Sequence, residues 1–371
     1  MMKNFSCQVR GLMALVSLVA CSSVGAEETS GDILPAMPPK PPAQIEDVTI
    51  FTVEQRIAAS KLTTRRNASQ REKAKFQAEV RGAFEEERFE DLNRLASEAI
   101  SSGKIFGDGA WGIYVFHQTL IPAPEVKEEG LVDLESRFLR WIQQTPESLT
   151  ARVALVEFYI GYAWRARGGG YANTVSAEQW KVFRERLAMA EKVLLDATKV
   201  QGQDPYWYAV LASLGRAQQW PADKYELMFQ DGLRNYPTNW ELACTRAYGL
   251  LPRWYGEPGD WEAFAEKETQ REGGLGPEVY ARIVLSLFGY YDNVFKDTKA
   301  SWERTREGLE ILRKKYPDDD VTMNNAVLLA RMAGDKEMAR ALLAQMGDNY
   351  HSGIFRSRED VILMREWAQS P

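Results

Sequence analysis

Two segments rich in arginine and aromatic residues carry the strongest chemical signal in this sequence. The first reads RARGGGYA over residues 165–172, and the second reads LLPRWYG over residues 250–256. Guanidinium groups match carboxylates in shape and charge, and arginine beside tryptophan and tyrosine is typical of interaction hot spots. These segments therefore predict a binding surface. Its predicted residues are Arg165, Arg167, Tyr171, Arg253, Trp254 and Tyr255.

Each segment also has a structural interpretation. The three glycines at 168–170 permit a sharp turn between two helices, because glycine adopts positive φ at little cost. Arg165 and Arg167 would then make internal packing contacts or salt bridges, and Trp254 would fill a gap between helical units. The glycine segment lacks the parts of a phosphate-binding P-loop, because no Gly-Lys-Ser/Thr follows it and no strand pattern precedes it. Convergence of these side chains in space would favour the binding interpretation.

Catalytic patterns are weak throughout the chain. His117 and His351 are the only histidines, and their separation has no metal-ligand spacing. Neither GxSxG nor HExxH occurs. The run Asp318-Asp319-Asp320 lacks the glycine and closing glutamate of a calcium loop, which favours a helix N-cap cluster. We expect no metal and no cofactor. The alternative function is a carboxylate-based hydrolase or glycan-processing enzyme with an Arg/Trp-rich groove.

Charge and cysteine content narrow the possible functions. The chain has 46 basic and 52 acidic residues and a net charge of −6, whereas general nucleic-acid binding requires clustered cations facing phosphates. No nucleic-acid partner is therefore expected. Of the three cysteines, Cys7 would leave with an N-terminal signal peptide and Cys21 would carry a lipid, which leaves Cys244 without an intramolecular partner. Its apolar surroundings predict a small core residue.

The N-terminus has the pattern of an export signal. Lys3 and Arg10 are followed by a ten-residue apolar core, residues 11–20, which is too short to span a bilayer stably. The sequence LVAC ending at Cys21 resembles a lipobox, which predicts a lipoprotein signal peptide over residues 1–20 and a lipid on Cys21. The alternative is cleavage after Ala26, which would release a soluble periplasmic protein.

The signal also predicts where the mature chain lies. Residues 21–45 are small, polar and rich in proline, which is typical of a disordered tether. Ser22 after the lipidated cysteine resembles outer-membrane sorting. The expected location is therefore the bacterial cell envelope, as an outer-membrane lipoprotein that faces the periplasm. Its lipid would hold it at the membrane, because each buried CH2 contributes ~0.8 kcal/mol.

Residues 46–371 are predicted to form one helical-repeat domain. Helical periodicity dominates, and it is clearest over residues 176–199, where apolar side chains recur every three or four positions. Ser176 with Gln179 predicts a capping box at the start of that helix. The predicted fold class is all-α, a tetratricopeptide-like α-solenoid of stacked helix pairs, and an irregular all-α domain is the alternative.

A repeated spacing supports the helix pairs. Pro205 precedes Asp223 by 18 residues, and Pro317 precedes Asp335 by the same distance. Pro237 begins a third copy 32 residues after Pro205, and its matching turn, Gly259-Asp260, comes five residues later than that spacing predicts. In each copy an aspartate is expected to open the second helix and cap its free N–H groups. A two-helix unit of 32–34 residues has the tetratricopeptide period, and such units must stack to bury their apolar faces.

Three segments carry a resemblance to a known family. They read WRARGGGYA at 164–172, DPYWY at 204–208 and LLPRWYG at 250–256, and residues 302–367 resemble its closing segment. Over roughly residues 70–370, the chain resembles a bacterial family defined as a domain of unknown function with tetratricopeptide-like repeats. This resemblance implies a fold and no particular activity. We therefore expect a non-catalytic helical-repeat adaptor that binds a protein or peptide.

Overall fold

The computed structural model describes residues 61–64, 66–169, 172–254 and 256–371. The predicted signal peptide, the tether and both candidate cleavage sites lie outside these residues. Three predicted functional residues also lie outside them: Cys21, Tyr171 and Tyr255.

The described residues form sixteen α-helices and no β-strand, which confirms the predicted all-α class. The helices are α1 (Ala68–Glu85), α2 (Phe89–Ser101), α3 (Gly112–Thr119), α4 (Glu128–Gln144), α5 (Leu149–Arg167), α6 (Ala177–Ala197), α7 (Trp207–Ala217), α8 (Ala222–Asn235), α9 (Trp240–Gly249), α10 (Asp260–Glu268), α11 (Pro277–Leu287), α12 (Val294–Asp297), α13 (Trp302–Lys315), α14 (Asp320–Ala333), α15 (Lys336–Met346) and α16 (Arg358–Gln369). None of these helices is both long enough and apolar enough to cross a membrane.

A row of inner helices organises the chain. Helices α5, α7, α9, α11 and α14 contact one another in that order, and each packs against a later helix, namely α6, α8, α10, α13 and α15. Helices α5, α9 and α11 are buried along nearly their whole length, as expected for helices whose apolar residues face all sides. Helices α1, α2 and α3 pack on one another, and α2 and α4 pack on α5, the first helix of the row. At the other end of the chain, α16 packs on α15.

The predicted helix start at Ser176 is confirmed. The Ser176 hydroxyl accepts a hydrogen bond from the Gln179 backbone N–H at 3.2 Å, and the Gln179 side chain accepts one from the Ser176 N–H at 2.9 Å. Asp319 caps α14 by accepting from the Thr322 N–H at 2.9 Å, which confirms the predicted N-cap role of the aspartate run. The sequence therefore predicted the caps of these two helices correctly.

The three aspartates of the repeat pattern differ in detail. Asp335 is the N-cap of α15 and accepts from the backbone N–H of residue 338 at 2.8 Å. Asp260 is instead the first residue of α10, and Asp223 lies in the first turn of α8 after Pro221 at the N-cap. All three lie at helix starts, where negative charge is stabilising, but only Asp335 has the capping role that was predicted for all of them.

One glycine sets the distance between two helices. A β-carbon on Gly308 of α13 would lie 2.3 Å from the carbonyl oxygen of Pro277 and 2.6 Å from the β-carbon of Ala281 in α11. Real atoms do not approach so closely, so only glycine permits this crossing.

Candidate functional site

A cleft of about 910 Å³ lies between the ends of α5 and α7, one face of α6, the start of α8 and the loop after α9. We call it the Arg–Trp cleft, after the side chains that dominate its lining. Its cations are Arg167, Arg184, Arg216, Lys224 and Arg253, and its tryptophans are Trp164, Trp180, Trp220 and Trp254. Its volume is at the upper end of the range for small-molecule sites.

The α6 wall of the cleft follows from helical spacing. Ala177, Trp180, Arg184, Ala188 and Glu191 recur three or four positions apart, so they lie along one side of the helix. The predicted apolar stripe of α6 is buried except at Trp180, which is partly exposed to the cleft. The stripe therefore serves mainly the core, and its members Trp180, Phe183 and Leu187 also line the cleft.

Two buried arginines form part of the lining. Arg167 is 1% exposed, and its guanidinium carbon lies 4.9 Å from the Trp180 ring centroid and 5.6 Å from that of Trp164. Arg216 is 3% exposed and lies 5.3 Å from the Tyr248 ring and 5.8 Å from the Trp254 ring. Such desolvated cation–π contacts are worth up to about 2 kcal/mol. The aromatic rings therefore help to keep two positive charges in place.

The turn after Arg167 depends on glycine. Gly168 has a φ of 77°, which ends α5 and redirects the chain toward α6. The carbonyl oxygen of Gly168 accepts a hydrogen bond from Arg167 at 3.1 Å. The positive φ expected of this glycine segment is present at Gly168, whose carbonyl also holds the arginine that precedes it, whereas Gly170 lies outside the described residues.

The remaining cations lie at the rim. Arg253 is exposed and lies 4.8 Å from the Tyr290 ring centroid, and the Lys224 amine lies 3.6 Å from the centroid of Trp220. Arg184 is exposed on α6. These three side chains keep their charged ends in contact with water.

Carboxylates are scarce in the cleft. Among the described residues that line it, Glu191 is the only acid, and its carboxylate accepts a hydrogen bond from Gln218 at 3.1 Å. Glu157 on α5 is 5% exposed and does not line the cleft. Burial raises the pKa of Glu157 to about 7, and the positive charge of Arg216 acts in the opposite direction. One Glu157 carboxylate oxygen, Oε2, makes no hydrogen bond within the described structure.

The structure brings together three of the predicted site residues. Arg167, Arg253 and Trp254 line the same cleft although 86 positions separate the first two. Arg165 does not line it. Its guanidinium donates to the carbonyl oxygen of Val126 at 2.8 Å and to that of Ala123, so it ties the loop before α4 to α5. The contacts of Arg165 therefore agree with the structural interpretation, in which this arginine makes internal packing contacts.

Sequence reasoning missed three contributors to the cleft. Arg216 ends α7 without a recognisable motif, Trp220 lies in the turn that follows, and Trp180 resembled an ordinary core position. Arginine and tryptophan also occur together at residues 216–220, as they do in the two predicted segments. This shared composition could have identified residues 216–220 as part of the site.

The side chains of His117 and Cys244 belong to the core. His117 is fully buried, its Nε2 lies 2.8 Å from the Asp204 carboxylate, and its ring stacks on Tyr206 at 4.5 Å. Cys244 is buried in α9, which confirms its prediction as a core residue, and burial raises the pKa of its thiol to about 12. Neither group is placed for nucleophilic or metal chemistry in the cleft.

A second group of buried charges comprises Glu241 at the start of α9, Arg282 in the middle of α11 and Asp319 at the N-cap of α14. The Arg282 guanidinium lies 4.3 Å from the Trp240 ring and 5.2 Å from the Tyr316 ring. Burial raises the pKa of Glu241 to about 8 and that of Asp319 to about 6. Among the described residues, no group of three or more His, Cys, Asp or Glu side chains is arranged to hold a metal ion.

Comparison of the chain with family models, curated proteins and solved structures found no match. The family resemblance therefore stays a prediction, and the functional argument depends on the geometry of the Arg–Trp cleft.

Proposed function

We propose that this chain is a non-catalytic binding protein that holds a protein or peptide partner in the Arg–Trp cleft. The observation that supports this proposal is the convergence of Arg167, Arg216 and Arg253, from three separate parts of the chain, on one tryptophan-lined cleft. Arginine and tryptophan are the residues most enriched in the energetic centres of protein interfaces.

The helix arrangement supports a tetratricopeptide-like repeat as the scaffold. Helix α7 begins at Trp207 and α9 at Trp240, 33 residues later, and each packs against the helix that follows it. Later units are longer, because α12 and a short 3-10 helix lie between α11 and α13. Stacked helix pairs create extended surfaces that bind other chains, and longer inter-helix loops often form part of those surfaces.

The proposed location is the bacterial envelope. The lipobox before Cys21 and the proline-rich residues 21–45 would give a membrane-anchored adaptor with a tether. Mass spectrometry of the mature N-terminus tests this part separately. A chain that begins at diacylated Cys21 supports the lipoprotein, and a chain that begins at unmodified Glu27 contradicts it without affecting the cleft.

The alternative is a carboxylate-based hydrolase or glycan-processing enzyme. Glycoside hydrolysis ordinarily requires two carboxylates that face the scissile bond. The described lining contains one carboxylate, that of Glu191, among five cations. This charge distribution favours binding over that chemistry.

Site-specific photo-crosslinking in the producing bacterium tests the binding proposal. A crosslinking residue at Ala188, which lines the cleft, should capture a partner, whereas one at Glu185, exposed on the same helix outside the cleft, should not. Trp254→Ala and Arg253→Ala should each reduce capture while circular dichroism stays unchanged. Equal capture from both positions, or capture unaffected by both substitutions, would contradict the proposal.

A further inference from the structure

The rim cations of the cleft lack carboxylate partners among the described residues. Arg184, Lys224 and Arg253 form no ion pair there, whereas Arg186 on α6 and Arg246 on α9 each pair with a glutamate at 2.8 and 2.7 Å. The whole chain has more acidic than basic residues, whereas the described lining of the cleft has five cations and one acid. Such a site attracts an anionic ligand.

The length of the cleft limits the kind of ligand. The lining face of α6 runs from Ala177 to Glu191, and fourteen residues at the helical rise cover about 21 Å. An extended peptide of about six residues covers the same distance at ~3.3–3.6 Å per residue. A single small anion would occupy only a fraction of this length.

The aromatic rings point to acidic side chains more than to sugars. Arg167 lies against Trp180, Arg216 against Trp254, and Lys224 against Trp220. Each of these rings therefore has a cation over one face, which leaves at most the opposite face for stacking on a sugar. A guanidinium stacked on a ring keeps N–H groups in its own plane, and these can donate to carboxylates.

We infer that the Arg–Trp cleft binds an extended acidic peptide segment of about six residues that runs along α6. This inference rests on the binding function proposed above and specifies its partner. Side chains of an extended peptide alternate between two sides. Acidic side chains on one side would meet the rim cations, and apolar ones on the other would meet Trp180 and Leu187.

Selection from a random hexapeptide library tests the inference. The full mature chain is the bait, and selected peptides are then measured as fluorescein-labelled probes by fluorescence anisotropy. The selected peptides should be enriched in Asp and Glu, and replacing their acids by the matching amides should weaken binding at least tenfold. Affinity should also fall as salt is raised, because the rim charges are exposed and therefore screened.

Matched charge reversals supply the control. Arg184→Glu with Lys224→Glu should weaken binding of the selected peptides at least tenfold. Lys181→Glu with Arg234→Glu changes the charge equally on the same two helices, at exposed positions outside the cleft, and should leave binding within about twofold.

Three results of the peptide-binding experiments would overturn the acidic-peptide inference. These are selected peptides without acid enrichment, equal loss of binding in both double variants, and a hexagalacturonate probe that binds more tightly than every selected peptide. The photo-crosslinking experiment at Ala188 decides the broader binding function separately. A partner captured there that carries no acidic segment would contradict this inference and leave the proposed function intact.

Discussion

Glu157→Gln should change the pH dependence of stability in a defined direction. In the unfolded chain the carboxyl group has a pKa of about 4.5, and in the folded chain burial raises the pKa of Glu157 to about 7. Between these values the folded state holds a proton that the unfolded state has lost, so stability falls as pH rises through this window. Each tenfold difference in proton affinity corresponds to 1.36 kcal/mol, which gives a loss of about 3 kcal/mol above pH 7.

Glutamine removes this titration while it preserves the shape of the side chain. At pH 8 the variant should be more stable than the natural chain by up to about 3 kcal/mol, and the two should differ little at pH 4. Urea unfolding followed by circular dichroism at a series of pH values measures the difference. Glu241 and Asp319 also have raised pKa values, so the difference between the two chains is the informative quantity.

The control is Glu191→Gln, at an exposed carboxylate on the cleft wall. Its stability curve should run parallel to that of the natural chain. Parallel curves for Glu157→Gln would refute the reasoning, because they would show that Glu157 has the same proton affinity in the folded and unfolded states.

Three further predictions test the packing, backbone and burial arguments. Gly308→Ala should destabilise the chain by about 1–3 kcal/mol in urea unfolding, since the new methyl group overlaps Pro277, whereas Gly289→Ala, in open space, should have little effect. Gln219, just after the end of α7, has a φ of 56°, so Gln219→Gly should stabilise the chain by about 1 kcal/mol; a decrease in stability would contradict this. The Cys244 thiol should react with iodoacetamide only in denaturant, as measured by mass spectrometry, because it is buried and its pKa is raised.

Local chemistry explains why much of the helical structure could be predicted. The capping box at Ser176 and the cap at Asp319 each join a side-chain oxygen to a backbone N–H three residues away, so a short stretch of sequence contains the whole interaction. The repeat spacing predicted helix pairs but assigned capping to Asp223 and Asp260, which lie inside the first turns. A shift of one or two residues at a helix end changes little in the apolar pattern and is therefore hard to predict.

The sequence by itself determined the all-α class, the glycine turn at Gly168 and the residue types available for binding. Only the tertiary structure decided that Arg167 and Arg253 share a cleft while Arg165, two residues from Arg167, ties down a loop elsewhere. Helical periodicity explains this separation, because positions two apart point about 200° away from each other around a helix. How α5, α7 and α9 stack decides which of those two directions faces the cleft. Local sequence does not encode this stacking.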